Sequence, residues 1–180
     1  SPKEAIAILD SLEQVSSFNE KERMHLVWNR ALAYQALGLS LAEDNQLMDA
    51  IIYYRAKKEK LADSYLLEAC YLTWKGKQKD AIRAIDKGLL EVSDAAKRAR
   101  LLVAKADMME HIHNYSQAAS VLKEALNYNM SKRETAILSY KLGMNLSLQG
   151  DKHSEYYYNK AIKLSIENDE TAIACEMMRN

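Results

Sequence analysis

The side chains best suited to hold a metal ion or act as nucleophiles are four histidines and two cysteines. His111 and His113 could be two zinc ligands, but residues two apart on a helix point in divergent directions, and no nearby Cys or Asp completes a set. Cys70 and Cys175 match neither a metal-ligand spacing nor a disulfide framework, and we interpret them as small buried hydrophobic residues. We therefore expect no metal site and no cofactor.

Nucleophilic catalysis would need a Ser-His-Asp or Cys-His arrangement. His25 and His153 are isolated, and neither the order nor the spacing of the chain's polar residues supplies such a set. We expect no catalytic residues, and hence a protein that is not an enzyme.

The charges argue against a partner held by bulk electrostatics. Twenty-five basic and twenty-five acidic residues cancel, so the chain lacks the positive field that favours binding to nucleic acid or anionic membrane. The basic runs 55–60 and 97–100 are short and lack interleaved aromatic residues, which favours solvated helix ends over phosphate contacts. No apolar run reaches the roughly 18 residues that span a bilayer. We expect this segment neither to bind nucleic acid nor to insert into a membrane.

Composition predicts that helices carry these residues. The chain has 180 residues, 48% of them hydrophobic, which is enough for one full core. One proline, five glycines and one phenylalanine leave little of the usual material for hairpin turns and strands. The expected fold class is all-α.

The helical segments repeat along the chain. The segment GKQKDAIRAIDKGL (76–89) is echoed at 113–126 and 150–162, and more loosely at 45–54. Small residues align at Ala50, Ala81, Ala118 and Ser154, at separations of 31, 37 and 36 residues. Periods in this range are typical of stacked supersecondary units.

These units resemble the tetratricopeptide repeat (TPR), a unit of about 34 residues made of two antiparallel helices, A and B. The resemblance implies a right-handed α-solenoid, in which a small residue at each crossing lets two helix backbones approach closely. The positions of the pattern are matched by Tyr34, Leu37, Gly38, Leu41, Ala50 and Tyr54; by Tyr65, Ala69, Leu72, Ala81, Ile85 and Gly88; by Leu102, Ala106, Met109, Ala118, Leu122 and Ala125; and by Leu142, Gly143, Leu146, Ser154, Tyr158 and Ala161.

Two features depart from the pattern. Glu68 and Lys105 occupy a position that is usually leucine, and we favour side chains lying at the edge of the interface over a pair between repeats. The first copy also has a second possible register, with Val27, Ala31 and Tyr34 at the packing positions, a longer helix A and an irregular loop after it.

Capping residues support the helix boundaries. An N-cap acceptor precedes a glutamate by three residues in 1–4, 19–22 and 131–134, and Pro2 suits a first helical position. About ten helices are predicted, at 2–14, 20–42, 46–57, 59–75, 78–91, 95–112, 115–128, 132–149, 151–167 and 170–179. They form a single domain over 1–180, with a degenerate repeat at 1–61, repeats at 62–95, 99–132 and 136–168, and the start of a further unit at 170–180.

The resemblance also implies a binding surface, because helices A of the family line a concave face. Three family positions, carried over one by one, give a stripe of nine residues with i, i+4, i+8 spacing on each of three helices: Leu66, Cys70 and Trp74; Val103, Asp107 and His111; Tyr140, Met144 and Leu148. This stripe is either part of the core or a groove for a protein or peptide. Family members that hold a chaperone's C-terminal carboxylate use Lys, Arg and Asn there, so that partner is disfavoured.

Two functional hypotheses follow. The first is a non-catalytic scaffold that binds a protein or peptide. The second is a sensory or scaffold segment of a larger bacterial signalling or transcription regulator, because the first 60 residues or so resemble bacterial envelope-associated TPR proteins. That resemblance favours the cell envelope over the cytoplasm as the location. The chain begins with Ser1-Pro2 and ends in an apolar segment, so we expect the full protein to be longer.

Overall fold

The computed structural model describes residues 2–15 and 17–168, which form nine α-helices and contain no strand. The all-helical prediction is confirmed for this part of the chain. The predicted helix 170–179, with Cys175, lies outside the described residues. The helices are α1 (Pro2–Val15), α2 (Glu20–Ala36), α3 (Leu47–Ala56), α4 (Leu61–Trp74), α5 (Gln78–Glu91), α6 (Ala95–His111), α7 (Tyr115–Ala125), α8 (Lys132–Ser147) and α9 (Ser154–Glu167).

Two helices begin at the predicted capping boxes. The Asn19 side chain accepts a hydrogen bond from the backbone N–H of Glu22, and the Glu22 carboxylate accepts one from the backbone of Asn19, both at 3.0 Å. Ser131 and Glu134 form the same reciprocal pair at the start of α8. The third predicted cap involves Ser1, which lies outside the described residues, although α1 does begin at Pro2. These local hydrogen bonds fix where the helices start.

Five of the described helices end in the same way, with a residue in the left-handed backbone region. Gly38, Lys58, Gly76, His113 and Gly150 have φ of 65°, 54°, 72°, 58° and 70° and follow α2, α3, α4, α6 and α8 respectively. In each case the next N–H bonds back to a carbonyl of the helix, as from Leu39 to Tyr34 at 2.9 Å. This is the Schellman ending, which favours glycine. The predicted helix 20–42 is therefore too long, because Gly38 forms the turn instead of a helix crossing.

The chain divides into two compact units, Ser1–Gly88 and Leu89–Asn180. In the first unit, a buried cluster joins α2, α3 and α4 and includes Trp28, Ala31, Leu47 and Leu67. Val27 and Ala31 are fully buried, and the segment after α2 is an irregular loop in which Leu41 is buried. The irregular loop agrees with the second possible register of the first copy, but α2 is not longer as that register required, and Leu41, Ala50 and Tyr54 of the first register are buried as well.

The second unit buries the repeat positions of its two hairpins, α6–α7 and α8–α9. Leu102, Ala106, Leu122, Leu142 and Ala161 are all at most 1% exposed. These five residues come from the predicted register, whereas Ser154 and Tyr158 of the same register are half-buried.

Small residues stand where the helices approach most closely. Ala50, Ala81 and Ala118 have no exposed surface, whereas Ser154 is half-buried. A Cβ placed on Gly88 would lie 2.9 Å from Tyr65, and one on Gly143 would lie 3.0 Å from Tyr158. Contacts this short leave no room for a side chain.

In the part of the chain that the structure describes, no helix combines the length and apolarity that crossing a bilayer would require.

Candidate functional site

The first part of the predicted stripe lies on α4, in the first unit. Leu66 and Cys70 are half-buried, and Trp74, the last residue of the helix, is 49% exposed. The side-chain amide of Gln35 on α2 donates to the Cys70 sulfur at 3.1 Å. This face of α4 is therefore partly covered at its middle and open at its end.

The remaining stripe residues lie on α6 and α8, in the second unit. Val103, Asp107, Tyr140 and Met144 are half-buried, whereas His111 and Leu148 are exposed. Tyr140 turns toward α9, where its ring centre lies 5.6 Å from that of Tyr158. The tyrosine thus packs within its own hairpin.

A polar cluster joins α6 to α8 beside these residues. The Lys141 ammonium forms an ion pair with Asp107 and lies 3.8 Å from a carboxylate oxygen of Glu110. The Asn145 amide donates to Glu110 at 2.6 Å and to the Lys141 carbonyl at 2.8 Å. We call Asp107, Glu110, Lys141 and Asn145 the α6–α8 polar cluster. Of these four residues, only Asp107 was predicted from the sequence.

A signal for the other three is nonetheless present in the repeat. Asp107 and Lys141 are 34 residues apart, and Glu110 and Asn145 are 35 apart. These separations are close to the repeat period predicted from the sequence, so they place the two residues of each pair at equivalent positions of α6 and α8. Polar residues at that separation are therefore the sequence signal for this cluster, and an apolar stripe does not include them.

Asn145 is the unusual member of the cluster. Its side chain has no exposed surface, and its oxygen Oδ1 has no hydrogen-bond partner among the described residues. Exchanging the amide oxygen and nitrogen would set the oxygen against the Glu110 carboxylate, so the observed orientation is the favourable one. A buried acceptor without a partner costs about 1–3 kcal/mol. The cluster therefore holds an acceptor whose pairing would be stabilising.

The interpretation of Glu68 as an edge-lying side chain is wrong. Its carboxylate forms an ion pair of 2.7 Å with Arg55, which links α3 to α4 across the boundary between two repeats. The Arg55 guanidinium also stacks 3.8 Å above the centre of the Tyr65 ring. A partly buried carboxylate is stabilised by such a partner, which edge exposure would not supply. Lys105, the other residue at this repeat position, is half-buried.

The tyrosines 156–158 do not form one stack. Tyr156 and Tyr157 meet edge to face with ring centres 5.1 Å apart, and with Lys123 and Lys160 they line a cleft of about 540 Å³. Burial raises the pKa of Tyr158, which packs against the α8 helix.

Another cleft, of about 620 Å³, lies between α1 and α2 and is lined in part by Leu9, Leu12, Phe18 and Leu26. Neither cleft includes a residue of the predicted stripe.

Three of the four histidines make hydrogen bonds, His113 and His153 with residues two positions away and His25 with a residue of another helix. His113 lies 2.8 Å from the Tyr115 hydroxyl, and His25 lies 3.1 Å from that of Tyr54. His153 donates its backbone N–H to Asp151, which lowers the pKa of that carboxyl. Within residues 2–15 and 17–168, no three His, Cys, Asp or Glu side chains are grouped so that they could hold a metal ion.

Comparison with known proteins adds one structural likeness. No protein-family model matches the chain, and no curated protein matches it. A solved structure that is similar is that of Bacillus thuringiensis PlcR in complex with the peptide PapR7 and DNA. The TM-score is 0.65 at 14% sequence identity, and the match covers 99% of this chain and 69% of the PlcR chain. At that identity the likeness shows that the two proteins share a helical fold.

Proposed function

We propose that this chain is a non-catalytic module of the TPR type that binds a protein or peptide. The observation that carries the proposal is the face shared by α6 and α8. There, half-buried Val103 and Met144 flank the α6–α8 polar cluster, and Leu148 is 58% exposed just beyond the helix. Apolar side chains beside hydrogen-bonding groups are what a bound peptide requires, since the apolar groups supply affinity and the polar groups fix its register.

The fold likeness supports this proposal. PlcR shares the helical architecture, and its solved complex contains the peptide PapR7. The polar cluster also supports the argument against a chaperone's C-terminal carboxylate. Lys141 is already paired with one carboxylate and close to a second, so this cation is not available to a third.

The proposal can be tested by selecting peptides from a phage-displayed random library with the chain and measuring their affinity by fluorescence polarisation. Val103→Ser and Leu148→Ser should each weaken binding of a selected peptide about tenfold, because each removes apolar contact area. Tyr156→Ala, which changes an exposed aromatic residue on α9, is the matched control and should leave affinity unchanged. If no peptide is enriched, or if the control loses as much affinity as the two site variants, the proposal fails.

A second candidate function is that of a sensory segment within a larger bacterial regulator. The observation in its favour is that the PlcR chain, which exceeds the matched region, was crystallised with DNA as well as with a peptide. Because the present chain carries no net charge, this candidate function places the DNA contacts in another segment. An electrophoretic mobility shift of random-sequence duplex DNA by this chain alone would contradict that division of roles.

A further inference from the structure

The α6–α8 polar cluster has more acceptors than donors. Two carboxylates, from Asp107 and Glu110, share one ammonium group, from Lys141, so the three side chains carry a net formal charge of −1. The buried Oδ1 of Asn145 adds an acceptor that no described residue satisfies. These are separate observations, one of charge and one of hydrogen bonding. A cationic group that donates several N–H hydrogen bonds would balance the negative charge and also pair with the free acceptor.

We propose that this cluster binds the guanidinium group of an arginine on the partner peptide. The inference rests on the proposed peptide-binding function and specifies the chemistry of its ligand. Arginine presents five N–H donors in a rigid planar fork and keeps its charge. The fork can pair with a carboxylate through two parallel bonds and still offer a donor to an amide oxygen. An ammonium group, which acts as a compact point charge, fits this set of acceptors less well.

Lys141 occupies the cluster as a resident cation that the arginine displaces. Its side chain is 28% exposed and the Asp107 side chain 42% exposed, so both are reachable from solvent. Oδ1 of Asn145 has no contact with solvent, and a ligand reaches it only after a neighbouring side chain moves. Lys141 lies one helical turn before Asn145. Its ammonium group can leave Asp107 and Glu110 by a rotation of the side chain, without a change in the backbone. In the proposed complex Lys141 is the side chain that moves, because the guanidinium takes over its contacts with Asp107 and Glu110.

The test uses capped heptapeptide pools that are random except for a fixed central residue, which is arginine, lysine, citrulline or glutamate. Citrulline is the matched control because it has nearly the shape of arginine without the charge. Binding to the full chain is measured by fluorescence polarisation in low and in high salt. The arginine pool should bind about tenfold more tightly than the citrulline pool, and the preference should shrink in high salt because charge pairs are screened.

Three variants assign the preference to the cluster. Asp107→Asn should reduce the arginine preference severalfold, and Lys141→Met, which removes the resident cation, should increase it. Glu155→Gln, at an exposed carboxylate on α9, should leave it unchanged. Melting temperatures show that each variant is folded, and Asp107→Asn is the variant to rely on, because that residue is the most exposed of the cluster.

The outcomes separate the two proposals. If neutral pools bind and arginine gives no advantage, the arginine site is wrong while the peptide-binding function stands. The same conclusion follows if Asp107→Asn retains the full preference, or if the lysine pool binds as tightly as the arginine pool. If no pool binds at all, both proposals fail.

Discussion

The side-chain nitrogen of Asn145 lies 2.6 Å from a carboxylate oxygen of Glu110, which precedes it by 35 residues. Gln35 and Cys70, in the first unit, are bonded across the same separation. The period inferred from small apolar residues therefore also governs side-chain hydrogen bonds between successive first helices. Each unit carries such a contact, so polar pairs help to set the register of helix packing as well as the apolar crossings.

The buried alanines provide the first prediction. Replacing Ala81 or Ala118 with leucine should lower the free energy of unfolding by about 1–3 kcal/mol, because the added methylenes enter a close-packed crossing. Both positions have no exposed surface. Urea denaturation followed by circular dichroism gives the midpoint for each variant. Ala96→Leu, at an exposed alanine of α6, should shift it little, and equal shifts at all three positions would show that the crossings are not specially tight.

The positions that sequence predicted well are those set by local or periodic rules. The cap at Asn19 depends on residues within one turn, and the burial of Ala118 follows from the repeat period. Gly38 was placed wrongly because its sequence neighbours fit both a helix crossing and a helix end. Only the three-dimensional course of the chain after α2 decides between those two places.

The polar contacts were harder to predict for a different reason. A glutamate such as Glu68 is suited equally to solvent and to a partner, and the choice depends on whether a cation comes within reach. Arg55 does so because the turn between α3 and α4 brings the two helices together. Likewise, the residues next to Asn145 in the sequence do not indicate that its side-chain nitrogen is hydrogen-bonded while its side-chain oxygen has no partner among the described residues.

The Arg55–Glu68 pair provides the second prediction. Arg55→Met should destabilise the chain by about 1–2 kcal/mol, a value between those typical of exposed and buried ion pairs, because the two side chains are 25% and 19% exposed. Part of the loss comes from the contact between the guanidinium and the Tyr65 ring. The measurement is the urea midpoint.

The chain offers a matched control for this change. Arg83 pairs with Asp80 in a mainly exposed setting, with 73% and 50% of the side chains accessible. Arg83→Met should therefore lower the free energy of unfolding by no more than about a few tenths of a kcal/mol. If Arg55→Met were equally silent, the contact between repeats would contribute nothing to stability.

The capping box of α8 provides the third prediction, which concerns pH. Hydrogen bonds from Ser131 hold the pKa of the Glu134 carboxyl below its ordinary value of 4.5. A carboxyl whose pKa is lower in the folded state adds stability above its unfolded pKa, and this stability is lost as the pH falls through the folded pKa. Ser131→Ala should cost about 0.5–2 kcal/mol at neutral pH. The difference in urea midpoint between this variant and the parent should narrow as the pH falls below this ordinary value and through the lowered folded-state pKa.

A matched variant checks which group titrates. Glu134→Gln retains an amide oxygen that can accept the backbone bond but cannot ionise, so it should remove the part of the pH dependence that Ser131→Ala changes. A gap between Ser131→Ala and its parent that stays constant from neutral pH to about pH 3 would assign the cap's contribution to the hydroxyl alone.

The last prediction separates an open surface from a packed one within the predicted stripe. Trp74 is 49% exposed at the end of α4, whereas Tyr140 is half-buried and its ring faces Tyr158. Trp74→Ala should leave the melting temperature within about 2 °C of the parent, because little buried contact is lost. Tyr140→Ala should lower it by several degrees, because it leaves a cavity beside Tyr158 and removes an aromatic contact. Differential scanning calorimetry of the two variants tests this ordering. Equal losses would place Trp74 in the core, and an unchanged melting temperature for Tyr140→Ala would mean that its contact with Tyr158 contributes no stability and that the ring is available to a ligand.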